Sequence, residues 1–413
     1  MVDDRKPKEQ QGLPEGWKWV KLGEVAKITT GNSNVQDASD DGVYPFFDRS
    51  GEIKRSERYF LDTEAVIVPG EGSDFFPKYF KGKFDLHQRT YAIFNFKGLD
   101  GRFLYYLMHS LRVNLIRTAV GTTVLSLRLP HFQNLELPLP PLSEQRKIAQ
   151  ILETFDNAIE KTEKIIEKYK RIKQGLMQDL LTKGIDEKGN IRSEKTHKFK
   201  DSPLGRIPEE WEVGYVSDFA EINPITKINP KELYPFIEMD ATPIMGKQCK
   251  YITLRRGIEA GCKFKKGDIL LARITPSAEN GKALLVPDNI EIGIGSTEFI
   301  VFRAKENIDN NFLFYLLTSD YVRSIAIGLM EGTSGRQRIP KYVFEKVIKV
   351  AIPKSESEQK RIAEILSQID QAIEKEEKYK QKLERLKKGL MEDLLTGKVR
   401  VNKLLEGENH GMA

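Results

Sequence analysis

The side chains best suited to chemistry in this 413-residue chain are arginines, amides and hydroxyls that gather in short polar segments. These segments fall between apolar stretches in both halves of the chain, and several lie beside glycine. The candidates in the first half are Arg49, Ser50, Arg55, Ser73, Gln88, Arg89, Thr122, Thr123 and Arg128. Those in the second half are Arg273, Thr275, Asn280, Lys282, Ser296, Thr297, Thr333, Ser334, Arg336, Gln337 and Arg338.

These residue types fit the chemistry of nucleic-acid recognition. Arginine can donate two hydrogen bonds to guanine and asparagine or glutamine can bond adenine in the major groove, while hydroxyls and lysines hold phosphates. Any one of them is more often a solvated loop side chain, so the hypothesis depends on the clusters. A Gly-Thr-Thr segment at residues 121–123 and a Gly-Thr-Ser-Gly segment at 332–335 occupy the same place in the two halves.

No motif for catalysis accompanies the clusters. The sequence has no Gly-x-x-x-x-Gly-Lys-Ser/Thr loop, no Gly-x-Ser-x-Gly elbow and no paired-cysteine or His-Glu-x-x-His metal motif. It also lacks the Asn-Pro-Pro-aromatic and Asp-Pro-Pro-aromatic segments of amino-methyltransferases. One nuclease-like combination, Asp41 with Glu52 and Lys54, has no counterpart in the second half. We therefore expect a recognition protein without a catalytic residue or a metal site.

Short strands and one helix per half are predicted to carry the clusters. In the first half, strands are expected at residues 65–68, 91–94 and 135–139, and a helix over 103–116. In the second half, strands are expected at 268–271, 283–286, 298–301 and 347–352, and a helix over 312–327. Glycine-containing turns separate these elements. The pattern predicts two α+β domains with the polar segments in their loops.

The chain contains this arrangement twice. A Leu-Pro-Glu-Gly-Trp segment at residues 13–17 returns 194 residues later as Ile-Pro-Glu-Glu-Trp at 207–211. The residues Glu144-Gln145, Asp156 and the segment at 179–182 all recur 214 residues later. Because this offset is constant near the end of each half and drifts elsewhere, the closing segments form a common frame and the domains differ.

Each half closes in a long helix with a heptad pattern, predicted at residues 143–183 and 355–396. In the first helix Ile148 and Phe155 fall seven apart, as do Leu152 and Ile159, which predicts one apolar seam against the other helix. A further apolar row widens the stripe beyond what one partner helix would bury. We predict that this row binds another protein through Ile151, Ile165 and Ile172, and through Tyr379 and Leu386 on the second helix.

Composition adds mild constraints. An apolar content of 39% is sufficient for buried cores, and two cysteines give no disulfide framework. The N-terminal segment lacks the apolar stretch of a signal peptide and no run could span a bilayer, so we expect a cytoplasmic protein. A net charge of +6, from 66 basic and 60 acidic residues, permits a nucleic-acid partner without requiring one.

Together these motifs resemble the specificity subunit of type I restriction-modification enzymes. The resemblance is carried by the openings at 13–17 and 207–211, by the Leu-Pro-Leu-Pro-Pro-Leu-Ser-Glu-Gln-Arg-Lys-Ile-Ala run at 137–149, and by two long helices that contain Gly-Leu-Met near their ends. It covers nearly the whole chain. The second copy departs from the pattern at residues 352–357, where the Pro-Leu-Pro-Pro-Leu phrase has diverged.

The resemblance implies a domain order and a set of partners. The expected order is a polar tail at 1–12, a target recognition domain at 13–142, a spacer helix at 143–183, a linker at 184–206, a second recognition domain at 207–354, a second helix at 355–396 and a tail at 397–413. Each domain would read one half of a bipartite double-stranded DNA site, and antiparallel helices would set the spacing. Two modification subunits that methylate adenine and ATP-dependent restriction subunits would bind the chain. S-adenosylmethionine, ATP and magnesium would belong to those partners.

Two other classes stay open on the sequence alone. A helical interaction scaffold would need no DNA, and failure to bind any duplex in the presence of its partners would favour it. A stand-alone nuclease would use Asp41, Glu52 and Lys54, and metal-dependent cleavage by the purified chain would reveal it.

Overall fold

The computed structural model describes residues 12–121, 123–333, 335–402 and 404. Thr122 and Ser334, two of the candidate DNA-binding residues, lie outside the described residues. The chain divides into two compact units, unit 1 with Met1–Lys164 and Glu377–Ala413, and unit 2 with Ile165–Glu376. Both divisions fall inside the long helices, so each unit combines one globular part with half of each helix.

Unit 1 is built around a six-stranded sheet in the order β2-β7-β5-β6-β3-β4. Its elements are β1 (Lys18–Lys21), α1 (Leu22–Val25), β2 (Lys27–Thr30), β3 (Tyr44–Phe47), β4 (Lys54–Ser56), β5 (Leu61–Pro69), β6 (Lys78–Leu86), β7 (Thr90–Phe94), α2 (Gly101–Ser110), α3 (Arg112–Thr118), α4 (Leu129–Gln133), β8 (Glu136–Leu139) and the first part of α5 (Leu142–Leu180), with a 3-10 turn at Val35–Asp37.

Strand β5 shows why this sheet is buried on both faces. Val66 and Val68 pack into the core that contains α2 and the start of α5, while Ala65 and Ile67 pack into a smaller core on the other face. This alternation is the period of two expected for a strand. The neighbouring β6 pairs antiparallel with β5 and then parallel with β3.

Unit 2 has two four-stranded sheets, β12-β19-β16-β17 and β14-β13-β18-β15, in place of the single six-stranded sheet of unit 1. Its elements are the second part of α5, then β9 (Phe199–Ser202), β10 (Gly205–Pro208), β11 (Trp211–Tyr215), α6 (Val216–Phe219), β12 (Ala220–Ile222), β13 (Leu233–Ile237), β14 (Thr253–Arg256), β15 (Cys262–Lys265), β16 (Ile269–Ala272), β17 (Ala283–Leu285), β18 (Ile292–Gly295), β19 (Phe299–Ala304), α7 (Asn310–Leu317), α8 (Asp320–Gly328), β20 (Lys349–Pro353) and the first part of α9 (Glu356–Leu394), with a π-helical turn at Val343–Val347. The second part of α9 belongs to unit 1. The separate strands β17 and β18 make the pairings that the single strand β6 makes in unit 1.

The two long helices pack antiparallel within unit 1. Asp156 pairs with Lys387, and Glu163 pairs with Lys380 at 2.7 Å, so an advance of seven residues in α5 matches a retreat of seven in α9. Five apolar residues of the long helices, Ile148, Leu152, Leu180, Ile362 and Leu366, are each no more than 1% exposed.

The repeated Glu-Gln pair fastens the start of each helix to its globular part. In unit 1 the Glu144 carboxylate accepts a hydrogen bond from Trp17 Nε1 at 3.1 Å and two from the Arg400 guanidinium at 2.7 and 2.9 Å. The neighbouring Gln145 Oε1 accepts from the backbone N–H of Asp100 at 2.8 Å, and Asp100 in turn caps α2. The Pro-Glu-x-Trp opening therefore supplies a tryptophan that binds the helix start.

Unit 2 repeats this joint with equivalent residues. The Glu358 carboxylate accepts from Trp211 Nε1 at 3.3 Å and forms a two-bond ion pair with Arg192. Gln359 Oε1 accepts from the backbone N–H of Asp309 at 2.9 Å, and Asp309 caps α7. The motifs that repeat in the sequence are thus the ones that join helix to domain.

The predicted α+β architecture and most predicted strands are confirmed, but the single helix predicted in each domain is wrong. The segment 103–116 forms α2 and α3, and 312–327 forms α7 and α8. In unit 2 the Thr318 hydroxyl donates to the Phe314 carbonyl at 2.7 Å, and Ser319 Oγ accepts from Val322 N–H at 3.4 Å to start a new helix. Hydroxyls compete with the backbone for hydrogen bonds in this way.

Several strands were not predicted at all. Among them are β4 and β14, which lie at the edges of their sheets and carry mainly polar residues. No helix among residues 12–121, 123–333, 335–402 and 404 has the length and apolar character that crossing a membrane requires.

Candidate nucleic-acid interface

In unit 1 three backbone segments meet beside the end of β5. The Gly70 N–H donates to the Arg89 carbonyl at 2.9 Å, and the Leu127 N–H donates to the Gly70 carbonyl at 2.8 Å. The third segment closes on itself, because Val120 and Ser126 exchange backbone hydrogen bonds of 3.0 and 2.8 Å. We call this arrangement the three-segment junction.

Unit 2 builds the same junction beside the end of β16. The Arg273 N–H donates to the Glu298 carbonyl at 2.9 Å, and the Ile339 N–H donates to the Arg273 carbonyl at 2.8 Å. Glu331 and Arg338 exchange backbone hydrogen bonds of 2.9 and 2.8 Å. Gly121 and Thr123 in unit 1, and Thr333 and Gly335 in unit 2, therefore lie in loops that close in the same way.

The matched hydrogen bonds identify equivalent positions, and the side chains at those positions differ. Gly70 corresponds to Arg273, and Arg89 corresponds to Glu298. At the latter position one unit carries a positive charge and the other a negative one. The backbone hydrogen bonds are therefore common to both units, whereas the charges of the side chains at the matched positions differ.

In unit 1 the junction holds a carboxylate between two arginines. Glu71 Oε2 accepts from Arg49 Nη1 at 2.9 Å and Glu71 Oε1 accepts from Arg89 Nη1 at 2.6 Å. The hydrogen bond from Arg89 is the main reason that the pKa of Glu71 lies below its usual range. The Glu71 side chain is 18% exposed, while those of Arg49 and Arg89 are 44% and 56% exposed. Guanidinium N–H groups thus remain available to a ligand.

An open cleft of about 580 Å³ lies beside this carboxylate. Its lining includes Arg49, Ser50, Ser73 and Lys78, so three predicted residues share one concave surface. Lys78 Nζ donates to the Ser50 carbonyl at 2.7 Å, and burial lowers the pKa of this lysine. This lysine was not among the predicted residues, because it is the first residue of strand β6 and lies outside the polar segments.

In unit 2 the carboxylate of Glu298 lies between Arg338 and Arg273. Arg338 donates to it through Nε at 2.9 Å and Nη2 at 2.7 Å, whereas Arg273 Nε is 4.0 Å away. The bonds from Arg338 hold the pKa of Glu298 below its usual range. Arg273 Nε is buried and makes no hydrogen bond within the described part of the chain.

Hydroxyl and amide groups border the second cluster. Thr275 Oγ1 accepts from the Gln337 N–H at 3.1 Å, and Ser296 Oγ accepts from the Glu298 N–H at 3.2 Å. The exposed residues on the same loops are Thr297, Thr333 and Arg336. Eight of the predicted residues in the second half therefore come together; they are Arg273, Thr275, Ser296, Thr297, Thr333, Arg336, Gln337 and Arg338.

Other predicted residues are engaged elsewhere. Arg55 donates to the carbonyls of Gly42 and Val43, and Lys282 Nζ donates to the Met239 carbonyl at 2.8 Å. The remaining candidates are exposed loop residues: Gln88 bonds Asn34 Oδ1 at 2.5 Å, Arg128 precedes α4, Asn280 lies in the turn after β16 and Thr123 lies in the closed loop of the junction.

The nuclease-like combination has a different role in the structure. Lys54 Nζ bonds Asp48 Oδ2 at 2.6 Å, while Asp41 and Glu52 are exposed. Burial raises the pKa of Asp48, but the hydrogen bonds from Lys54 and Ser50 outweigh it and hold the pKa below its usual range. Among the described residues no cluster of His, Cys, Asp or Glu has the arrangement of a metal site.

The predicted partner-binding residues fall into two groups. Ile151 packs against the core of unit 1. Ile165 and Ile172 are 41% and 39% exposed, and Tyr379 and Leu386, which follow them by 214 residues, are 50% and 47% exposed. One exposed apolar pair therefore occurs at equivalent positions of each long helix.

Two acidic residues were missed by the sequence interpretation. Glu71 and Glu298 organise the clusters, but a carboxylate neither donates hydrogen bonds to DNA nor is attracted to its phosphates, so residue chemistry alone did not indicate them. The sequence signal is their position at a strand end, since Glu71 lies two residues after β5 and Glu298 lies directly before β19.

Both halves of the chain match the same known protein family. Residues 14–171 and 208–385 each match the family model described as type I restriction modification DNA specificity domain. The type I restriction enzyme MjaVIII specificity subunit of Methanocaldococcus jannaschii is 29% identical over 96% of both chains. The EcoDI specificity subunit of Escherichia coli is 30% identical over 75% of this chain and 72% of the relative.

Solved structures show the same fold. The crystal structure of the type I restriction-modification S subunit from M. genitalium matches with a TM-score of 0.62, at 16% identity, over 94% of this chain and 98% of that one. A chain from a structural study of complex assembly and conformational transition in the type I system matches with a TM-score of 0.51, at 18% identity, over 94% and 100%.

Proposed function

The chain belongs to the type I restriction-modification DNA specificity family, and we propose that its two units read the two halves of one bipartite DNA target. As a DNA-specificity subunit, the chain is a recognition component and not an enzyme. The observation that carries the proposal is the three-segment junction, which has the same backbone bonds in both units and different charges. A common backbone arrangement with different side chains is suited to reading two different half-sites.

Within each unit we assign base reading to arginines of the junction. Arg49 and Arg89 in unit 1, and Arg273 and Arg338 in unit 2, present forked donors that suit guanine. Exposed hydroxyls on the same loops, such as Thr123 and Thr333, are suited to phosphates. The recognition domains of this proposal are residues 13–142 and 207–354, with the tails at 1–12 and 397–413 and the linker at 184–206 outside them.

The helices at 143–183 and 355–396 set the spacing and bind the modification subunits in this proposal. Support comes from the exposed apolar pairs, Ile165 with Ile172 and Tyr379 with Leu386, since two equivalent surfaces fit two copies of one partner. Adenine methylation with S-adenosylmethionine belongs to those subunits, and ATP and magnesium belong to the restriction subunits. The whole assembly is proposed to act in the cytoplasm.

Domain exchange tests the two-reader model. The chain is expressed with its modification subunits in a host, and methylated adenines are mapped across the genome. Replacing residues 207–354 with the corresponding segment of a relative should change one half of the methylated consensus only. The reciprocal control replaces residues 13–142 and should change the other half. If either exchange altered both halves, or neither, the model would be wrong.

A further inference from the structure

We propose that Glu71 and Glu298 are specificity-determining positioning residues, each of which holds its arginine pair in the orientation that reads one half-site. This inference rests on the proposed function and goes beyond it, because it assigns discrimination to acidic groups that DNA itself would repel. Glu71 accepts hydrogen bonds from both arginines assigned to reading in unit 1, and Glu298 accepts them from Arg338 and lies 4.0 Å from Arg273 Nε.

The geometry separates this role from ordinary surface ion pairing. Exposed ion pairs contribute little to stability, because solvent screens them and long side chains lose entropy when they are fixed. Each acid is nevertheless mostly shielded and serves two arginines, which are 44% and 56% exposed in unit 1 and 40% and 31% in unit 2. Fixing exposed guanidinium groups before binding lowers the entropy that binding must supply.

The bonds also determine which guanidinium edges are free. In unit 1 Arg49 and Arg89 each use only Nη1 on Glu71, so their other donors stay available. In unit 2 Arg338 donates to Glu298 through Nε and Nη2, while Arg273 Nε lies 4.0 Å from Glu298 Oε2 and forms an ion pair without a hydrogen bond. The Arg273 guanidinium, whose side chain is 31% exposed, is therefore held less tightly by the carboxylate than that of Arg338 is.

The negative charge has a second consequence. Two arginines and one glutamate give each cluster a net charge of one positive unit, so the acid weakens attraction to any phosphate. Phosphate attraction is independent of sequence and supplies most non-specific binding. The carboxylate aligns the arginines that read bases and at the same time repels the phosphates of non-target DNA. Both effects raise the ratio of specific to non-specific affinity, and the second is an example of specificity gained through repulsion.

The test uses Glu71→Gln and Glu298→Gln in the full chain assembled with its modification subunits. The probes are a duplex carrying the methylation consensus mapped in the host, and duplexes in which one half-site is scrambled. Each variant should lose about tenfold in the affinity ratio for its own half-site, the discrimination of one arginine-to-base contact, and keep the ratio for the other half. Non-specific affinity should rise, with a steeper salt dependence by about one phosphate contact.

Controls distinguish positioning from folding. Glu291→Gln removes a carboxylate of unit 2 whose partner is Lys266 at 2.7 Å on an exposed surface, and it should leave the ratio unchanged. Glu298→Asp keeps the charge at a shorter reach and should restore the weak non-specific binding. The inference is overturned if the glutamine variants keep the wild-type ratio, or if specific and non-specific affinity fall together with thermal stability. Absence of half-site preference in the wild-type complex would instead refute the proposed function.

Discussion

The phenolic hydroxyl of Tyr106 donates a 2.6 Å hydrogen bond to Asp156 Oδ2, and this bond joins the globular part of unit 1 to helix α5. Asp156 also pairs with Lys387 of α9, whose ammonium lies 5.4 Å from the centre of the Tyr106 ring. Burial is the main cause that raises the pKa of this tyrosine far above its usual range. One carboxylate therefore connects the domain to both helices.

Unit 2 contains the same triad, and it provides a stability prediction. Tyr315 Oη donates to Asp370 Oδ2 at 2.7 Å, and Lys173 pairs with that carboxylate at 2.6 Å. Tyr315→Phe should lower the free energy of unfolding by about 1.5–3 kcal/mol, since a hydrogen bond to a charged acceptor is lost in a buried site. Chemical denaturation of the full chain measures this value.

The matched control in the same unit is Tyr321→Phe. Tyr321 is 47% exposed and its hydroxyl bonds only the Lys349 carbonyl, at 3.2 Å. A change within about 0.5 kcal/mol is expected for it, as for most surface substitutions. Equal effects of the two variants would show that the triad has no special role in joining domain and helix.

A second prediction concerns the joint at the start of α9. Glu358→Ala should destabilise the chain by roughly 3–5 kcal/mol, because it leaves the buried Arg192 without its partner charge. Trp211 Nε1 and the Ile185 N–H lose an acceptor at the same time. Glu356→Ala, on the exposed first turn of the same helix, is the control and should have little effect. Thermal unfolding of both variants provides the comparison.

The internal repeat contains the residues that join domain and helix, although their contacts were not predicted. Asp156 recurs as Asp370 at an offset of 214, and Tyr106 recurs as Tyr315 at an offset of 209. The three-segment junction rests on backbone hydrogen bonds between segments far apart in the chain, which no side-chain pattern records. Polar loop residues were predicted from their residue type. Residue type does not distinguish Arg338, which bonds Glu298 at the junction, from Arg55, which bonds the Gly42 carbonyl.

The sequence also did not predict how the cores of the two units differ. Asp85 in β6 is fully buried and accepts from Ser33 Oγ at 2.8 Å and Ser56 Oγ at 2.9 Å. The parallel strand pairing places Ile294 at the corresponding position of unit 2, where it is equally buried. A buried carboxylate in one copy and an aliphatic side chain in the other depend on tertiary partners, since a buried charge is tolerated only with hydrogen bonds.

A third prediction is an acid-dependent loss of stability through His109. Burial, assisted by the charge of Lys387, lowers the pKa of His109 to about 4 from an ordinary value of 6.5. The unfolded chain therefore takes up a proton at higher pH than the folded chain does. The stabilising contribution is fully present above about pH 6.5 and is lost as the pH falls toward 4.

His109→Phe isolates this effect. The ring of His109 packs edge-on against Phe76 and Tyr105, with centroid distances of 5.6 and 4.8 Å, so phenylalanine can keep the aromatic contacts. The variant should show a smaller drop in unfolding free energy between pH 7 and pH 5 than the wild-type chain. Parallel pH profiles for the two proteins would show that His109 does not couple folding to protonation.

The last prediction tests whether the helices set the distance between half-sites. Seven residues inserted after Lys164 and seven after Glu376 lengthen both helices where the two units divide. A heptad keeps the apolar seam in register, and each ion pair between the helices, such as Asp156 with Lys387 or Lys173 with Asp370, stays within its own unit. Each helix gains about 10 Å, since one residue rises about 1.5 Å.

One base pair rises about 3.4 Å, so the preferred gap between half-sites should grow by up to about three base pairs. The bases read in each half should not change, because both junctions are untouched. DNA twist rotates one half-site relative to the other as the gap grows, so the affinity for every duplex can fall while the preference still shifts. Competition among duplexes of graded spacing, with the modification subunits present, measures that preference. If the elongated chain retained the original spacing, the helices would serve only as a joint and a docking surface, and the distance would be set by another part of the complex.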